Sequence, residues 1–560
     1  PQTAYFGRAT FAGAINFVTK NPSLQEWGGE VTGEIGQYGT SDAIVSVNGP
    51  IIDDKLGVRL TARNLTKGAQ YTENMQNMEV GERNTESGSL TVLYTPTDAL
   101  RIKVFGEYAK LHDGLSMVFD FPVNEFGNCS PGGAATPQWI CGVPPSVDIA
   151  LSRVGFPAVL DGPFRDAMSQ RSIYKRVLLG AGDHMIIRNT TAHAIADYQF
   201  GNGMTLSGIA AYHRTKAQWL EESTQDAKFG FFPCPRPNGC GRPFGQYLFL
   251  TDGLRYDRSL EARLTSDQEQ RLRWIVGATY SNASSEVVSN GELPATPPST
   301  FGLNALNTTE TYGVFGGVNF DFTEKLTGGV ELRYQSDEVF LNPNQRAATV
   351  RTIDDTFKST TPRVSLQYQL TPDYMVYGSY AQGVRPGTFN GALLARPQFV
   401  IDILTQQFGV TLAVEEEELT MYELGLKGRW LDQRLQATVA VYKGEVTNQQ
   451  ISQSIFVNTP QFTGTVGFIN NAGETDLQGV EIESSWLVID RWRLDAGFSY
   501  ADPEIVKDNC AQCVRIGGTL KSSEGKNIDG VPLVTGNLTV GYTIPLDADR
   551  NWYSRVEYFY

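Results

Sequence analysis

Apolar residues recur at every second position through most of this chain. Over 421–446, Tyr422, Leu424, Leu426, Gly428 and Trp430 share one parity while Glu423, Lys427 and Arg429 share the other. Strand side chains alternate sides, so one face is apolar and the other charged. After a turn at Leu431, Asp432 and Gln433 the pattern resumes, with Leu435, Ala437, Val439 and Val441 against Gln436, Thr438 and Tyr442. Val364, Leu366, Tyr368 and Leu370 oppose Arg363, Ser365, Gln367 and Gln369, and Leu100, Ile102, Val104 and Tyr108 oppose Arg101, Lys103 and Glu107. Read along the chain, the period predicts about nineteen antiparallel strands. They fall near 30–38, 42–49, 56–66, 87–95, 100–110, 187–198, 204–214, 255–265, 271–282, 310–321, 326–335, 361–370, 374–382, 420–430, 434–447, 476–488, 491–501, 535–544 and 549–560. The apolar face needs either lipid or a second sheet to cover it.

The connections decide between the two, because they alternate in length. Short turns at 50–55, 96–99, 201–203, 266–270, 322–325, 371–373, 431–433 and 545–550, with a single residue at Asp490, are rich in the Asp, Pro, Gly and Asn of tight turns. Long excursions separate them, at 67–86, 111–186, 215–254, 282–310, 336–360, 383–419, 448–475 and 502–534. Every second strand end therefore points to the same rim, one trimmed and one decorated, as in an outer-membrane barrel; a two-sheet sandwich gives no reason for such segregation. No run of about 18 apolar residues marks a transmembrane helix, whereas a membrane strand needs only about 9–11 alternating residues.

Composition adds limits. The net charge of −15 argues against nucleic acid as a partner. The four histidines are dispersed, and His193 and His213 fall in strand segments where a lumen or surface position is expected. All six cysteines lie in long excursions. Cys129 with Cys141, Cys234 with Cys240, and Cys510 with Cys513 suggest three local disulfides in an oxidising compartment, with a redox or zinc motif as the alternative for Cys510 and Cys513. The run at 415–418, EEEE, reads as a solvated face or strand entry rather than a cation site, and Asp354 and Asp355 read as loop. No nucleophile elbow, nucleotide loop or paired His/Glu metal motif is present in the sequence, so an enzyme is not expected, and no cofactor is implied.

The opening stretch FGRATFAGAINFVTK, with Gly7, Arg8, Gly13, Ile15 and Asn16, resembles the end of the plug domain of TonB-dependent outer-membrane receptors. YGSYAQGVRPGTFN at 377–390, the Glu-Leu-Gly stretch at 423–427, and Asn471-Ala472-Gly473 through Gly479-Val480-Glu481 resemble strands of the same family in the expected order. Val384 stands where the family carries an aromatic, and Leu426 is inserted before Lys427. The resemblance implies an all-β fold: a transmembrane antiparallel barrel of about 22 strands when complete, preceded by a plug. Residues 1–28 would be the end of the plug and 29–560 the barrel, stopping short of its last strands. It further implies a receptor in the outer membrane of a Gram-negative bacterium that takes up a large scarce solute, either a ferric siderophore or another organic nutrient such as an oligosaccharide or cobalamin, with energy from the TonB complex. Ligand would bind between plug and outer loops, and the candidates are Trp139, Phe232, Tyr247, Arg385, Phe389 and Asn390. Loop aromatics serve equally to hold loops together. Gly7, Arg8, Gly13 and Asn16 would pack the plug against the wall. A passive porin, an adhesin barrel and a soluble carbohydrate-binding protein are the competing readings.

Overall fold

The computed structural model describes residues 16–72, 79–114, 184–222, 248–292, 303–345, 351–394, 396–508, 523–528, 530–547 and 550–560, with isolated positions before 16. One 19-stranded sheet makes the wall. Its strands are β1 (Gly28–Gly36), β2 (Thr40–Ile52), β3 (Leu56–Lys67), β6 (Arg83–Thr97), β7 (Leu100–Asp113), β8 (His184–Gln199), β9 (Thr205–Glu222), β10 (Leu248–Thr265), β11 (Leu272–Glu292), β12 (Leu303–Asp321), β13 (Leu326–Asn342), β14 (Ile353–Thr371), β15 (Tyr374–Arg385), β18 (Glu417–Trp430), β19 (Leu435–Asn458), β20 (Thr463–Ile489), β21 (Trp492–Asp508), β22 (Val534–Pro545) and β23 (Asn551–Phe559). Two small ladders, β4 (Tyr71–Thr72) with β5 (Glu79–Val80) and β16 (Thr388–Phe389) with β17 (Ala413–Val414), sit in long excursions. Each wall strand pairs antiparallel with the next in the chain, the pattern of a meander.

The two faces differ as alternation requires. On β12, Val314 is 56% exposed while its neighbour Phe315 is 4% exposed. Val330, Leu332 and Tyr334 of β13 stand outward, and Arg333, Gln335 and Asp337, of the opposite parity, are buried on the inner face. Outward aromatics gather at two levels. Near the short turns lie Tyr94, Tyr198, Phe320, Tyr368, Trp430 and Trp492; farther up lie Tyr108, Tyr212, Tyr256, Tyr312, Tyr334 and Tyr422. Tyr312 and Phe320 are eight residues apart on β12. At about 3.4 Å per residue and a tilt of about 40°, that is roughly 21 Å of height, close to the apolar band of an outer-membrane barrel. Apolar side chains exposed in a band between aromatic rows are stable in lipid and unfavourable in water. Among the described residues, no helix is long and apolar enough to cross a membrane.

All nineteen expected strands are present, but most run farther on the long-loop side. The excursion expected at 448–475 is largely strand: β19 and β20 continue as one hairpin, closed at 459–462. Asp354 and Asp355, expected in loop, lie on β14 opposite Phe340 and Val339. Above the upper aromatic row both faces meet water, so alternation is no longer enforced and the sequence signal fades. The excursion at 383–419 holds two helices that strand periodicity does not anticipate, α1 (Gly391–Leu394) and α2 (Gln398–Phe408).

Candidate ligand mouth and plug seat

The mouth of the barrel is partly covered by α1 and α2. Val400, Ile401 and Leu404 fall on one stripe of α2 and are buried, and Gly409 ends the helix in the left-handed region at φ 66°. Its N–H donates to Thr405 O (3.0 Å) and that of Val410 to Leu404 O (3.4 Å), satisfying carbonyls that a helix end leaves open. The stripe packs on Ile455, Val457, Val466 and Phe468 at the top of β19 and β20, with Leu393 and Val410 completing the cluster. Pro397, the spacing of Val400, Leu404 and Phe408, and Gly409 were the signals that could have revealed this helix.

Those four strand residues face inward because of a double bulge. On β19, Ala440 and Val446 are buried below the irregularity, whereas Ile455 and Val457 are buried above it, so the inward parity changes from even to odd. One residue is extra in β19 between Val446 and Gln449 and one in β20 between Gln449 and Gln450's partners, Gly473 and Asn471. Asn448 takes φ 51° there, a conformation Asn tolerates better than most residues. Asn471 fixes it, donating from Nδ2 to Asn448 O (2.8 Å) and Glu415 O (3.0 Å) and accepting at Oδ1 from Glu415 N (2.8 Å).

Three of the expected ligand residues lie in this region. Arg385 ends β15 with an exposed guanidinium, 3.6 Å from buried Glu417, which also accepts from Gln450 N at 2.8 Å. Phe389 is buried against Phe357, ring centroids 6.0 Å apart. Asn390 is 4% exposed; its Nδ2 donates to Thr411 O and Ile469 O, each at 2.7 Å, and its Oδ1 accepts from Ile469 N at 2.6 Å. Phe389 and Asn390 thus bind the excursion to the wall, and Arg385 alone of the three presents its polar end to the mouth. The acidic run is divided among separate tasks. Glu415 and Glu417 have the partners above, Glu418 accepts from Gln382 at 3.1 Å, and Glu416 has its carboxyl pushed up by burial, then by repulsion from Glu418, Asp337 and Glu415. Trp139, Phe232, Tyr247 and Cys129, Cys141, Cys234, Cys240, Cys510 and Cys513 lie outside the described residues.

Deeper inside, the N-terminal segment meets the wall. Gly7 is buried at φ 62°, and a Cβ there would overlap the guanidinium of Arg333. Arg333 is 1% exposed and donates to Gln335 Oε1 (3.0 Å) and Thr279 Oγ1 (2.7 Å), its guanidinium 5.7 Å from the Phe315 ring centroid. Gln335 in turn donates to Asp337 (2.8 Å), which accepts from Thr311 (2.6 Å). This ladder climbs the inner face of β13 from Gly7 toward Glu416. Lys103 of β7 donates to Thr19 O at 2.7 Å, tying the segment to a second part of the wall, six strands from β13. Gly13 and Asn16 are exposed, so the packing expected of them is not seen among the described residues; Arg8 lies outside them. A polar recess of about 400 Å³ opens between β9 and β12, lined on the inner face by His213, Thr215, Arg255, Asp257, Asn307 and Thr309.

The arrangement is a wall with a wet interior, a seat for a segment inside it and a partly lidded mouth, suited to passing a solute rather than to transforming one. Residues 151–560 match the family model of the TonB-dependent receptor-like β-barrel. The probable TonB-dependent siderophore receptor PiuA of Acinetobacter baumannii is 24% identical over 242 residues, 42% of this chain and 30% of that receptor. The metal-pseudopaline receptor CntO of Pseudomonas aeruginosa is 28% identical over 191 residues, 34% of this chain and 23% of that protein. The aligned part thus spans less than a third of either relative. The crystal structure of the ferric yersiniabactin uptake receptor FyuA from Yersinia pestis superposes with a TM-score of 0.69 at 15% identity, covering 100% of this chain and 72% of that one. With more than half its length matched by the family model and the same fold in its neighbours, the chain belongs to the TonB-dependent receptor β-barrel family.

Proposed function

We propose that this protein is an outer-membrane receptor of a Gram-negative bacterium that takes up a ferric siderophore or another metal chelate, energised through TonB. Residues 1–28 serve as the end of the plug and 29–560 as the barrel, with Arg8, Gly13 and Asn16 contacting the wall once the plug is in place. The observation that carries this reading is Gly7 seated on Arg333 inside a polar-lined wall whose outer face is apolar. An open pore has no use for a segment locked across its interior. The siderophore and metal-chelate receptors among its relatives support the substrate class. The test is growth and metal uptake of a strain carrying the intact gene under iron limitation, against panels of ferric chelates and of saccharides. Uptake of a chelate that stops when TonB is deleted is expected. Uptake of small neutral solutes that persists without TonB would refute it in favour of a passive channel.

A further inference from the structure

Two neighbouring rows of inward side chains cross β9 to β12 and meet in the polar recess of about 400 Å³. His213, Asp257, Ala283 and Thr309 form the lower row, and Thr215, Arg255, Ser285 and Asn307 the upper one. Ala283, the smallest of them, leaves the floor open between Asp257 and Thr309. His213 is committed to the wall. Thr215 Oγ1 donates its one hydrogen to Asn189 Oδ1 at 2.9 Å, so it accepts from His213 Nε2–H at 2.9 Å. Nδ1 of the same ring then accepts from Thr191 Oγ1 at 2.9 Å. With both ring nitrogens engaged, His213 holds a neutral form and offers no lone pair to a metal ion. The side chains of Arg255, Ser285, Asn307 and Thr309, by contrast, make no hydrogen bond or ion pair among the described residues.

The next inward row toward the long loops is apolar, with Ala217, Gly253, Val287 and Ala305 side by side. Trp219 leans over Gly253, its nearest ring carbon 3.7 Å from where a Cβ would stand. An aromatic ledge therefore lies directly above a set of converging donors and acceptors, and the recess has the size of a small-molecule site, about 300–1,000 Å³. That combination matches a pyranose, whose C–H faces are apolar and whose hydroxyls both donate and accept. Charge points the same way. Arg255 and Asp257 offset each other, and the flanking charges on the inner face, Glu107 opposite Thr191 and Asp337 held by Thr311, are acidic. An anion finds no surplus positive charge there. We propose that the inner wall of β9 to β12 carries a subsite for a neutral pyranose unit, stacked on Trp219 and held through its hydroxyls by Arg255, Asp257, Asn307 and Thr309. The sugar arrives either on a metal chelate, which rests on the receptor reading above, or as a free saccharide.

The experiment is calorimetric titration of the full-length receptor, in a detergent without a sugar headgroup, with three probes: a ferric tris-catecholate, the same chelate bearing one glucose, and maltotriose. The glucose-bearing chelate is expected to bind at least about tenfold more tightly than the bare one, or maltotriose to bind by itself. Ala283→Leu fills the floor of the recess and should abolish the sugar-dependent part, while Asn307→Ala should weaken it about fivefold. Thr438→Ala, on the inner face of β19, is expected to bind like the parent. If the leucine variant fails to fold, Asn307→Ala with Trp219→Ala decides. Maltotriose binding that these substitutions remove assigns the subsite to free saccharides, and a glucose advantage without maltotriose binding assigns it to sugars carried on a chelate. No glucose advantage together with no maltotriose binding overturns the proposal, as does a sugar effect that survives all three substitutions. Since binding of sugar-bearing and sugar-free probes is compared without uptake, this failure leaves the receptor reading standing, and loss of TonB-dependent uptake leaves the subsite standing.

Discussion

Asn390 offers the sharpest test of how the mouth is built, because its residue type suggests ligand contact while its surroundings assign it to the scaffold. Asn390→Ala removes two donated hydrogen bonds, to Thr411 O and Ile469 O, and one accepted from Ile469 N. The site is buried, so the orphaned groups gain no full hydration. At about 1 kcal/mol net for each bond, the change destabilises docking of the 390–412 segment by about 3 kcal/mol. A shift of that size raises local opening more than a hundredfold, at about 1.4 kcal/mol per factor of ten. Hydrogen exchange on the full-length protein reads it directly, as faster exchange of the α2 amides with the wall strands unchanged. Asn390→Asp should be no better, since a carboxylate would face two carbonyl oxygens in place of a donor. Protection of α2 that stays within threefold of the parent while ligand affinity falls would refute the clamp and restore a contact role.

Three further outcomes follow from the same geometry. Gly7→Ala places a methyl group on the Arg333 guanidinium and a Cβ in the left-handed region, costing about 1–2 kcal/mol for the backbone alone. Limited proteolysis should release the N-terminal segment faster, and adding Arg333→Ser should recover only the steric part; complete recovery would show that the backbone term is absent. Val330 faces lipid near the middle of the band, so Val330→Arg should destabilise the folded barrel by about 2–4 kcal/mol, while Gln367→Arg on the inner face stays within about 1 kcal/mol. Equal losses in denaturant titrations of vesicle-inserted protein would overturn the assignment of faces. For Glu416 the raised folded pKa means that the folded state binds more protons than the unfolded one. Stability is therefore fully present below the ordinary carboxylate value and is lost as pH rises through the folded value. Glu416→Gln should melt higher than the parent at pH 8 and together with it at pH 4, and a variant no more stable at pH 8 would contradict the buried, repelled carboxyl.

Strand number and order were legible because lipid imposes one rule on every wall strand. Val364, Leu366 and Tyr368 repeat what Val330, Leu332 and Tyr334 do on the neighbouring strand, and a slip of one residue would turn all of them into the wet interior. Strand ends were not legible, since above Tyr312 or Tyr334 water lies on both sides. The helix α2 lies inside an excursion that strand periodicity marks only by its length, although Val400, Leu404 and Gly409 carry a helical signature. Among site residues, Gly7 could be placed from the plug-like opening, but its partner Arg333 could not. Arg333 sits in an ordinary alternating strand, and only curvature of the sheet brings it beneath a glycine more than three hundred residues away in sequence.

The same contrast explains why fold and specificity part company here. A wall governed by outward apolar residues tolerates wide sequence change, which fits a TM-score of 0.69 at 15% identity with FyuA. The mouth obeys a local rule of polar locks instead. Asn471, which enters the sequence reading only as part of a strand motif, is the residue that holds the paired bulges of β19 and β20 together. Because each strand carries one extra residue, pairing above the bulges keeps the register found below them while both strands exchange faces. That exchange turns Ile455, Val457, Val466 and Phe468 inward, where α2 covers them; without it they would stand in water and the helix would have no surface on which to fold. The lid over the interior therefore depends on one side chain holding Asn448 O and the backbone of Glu415 together.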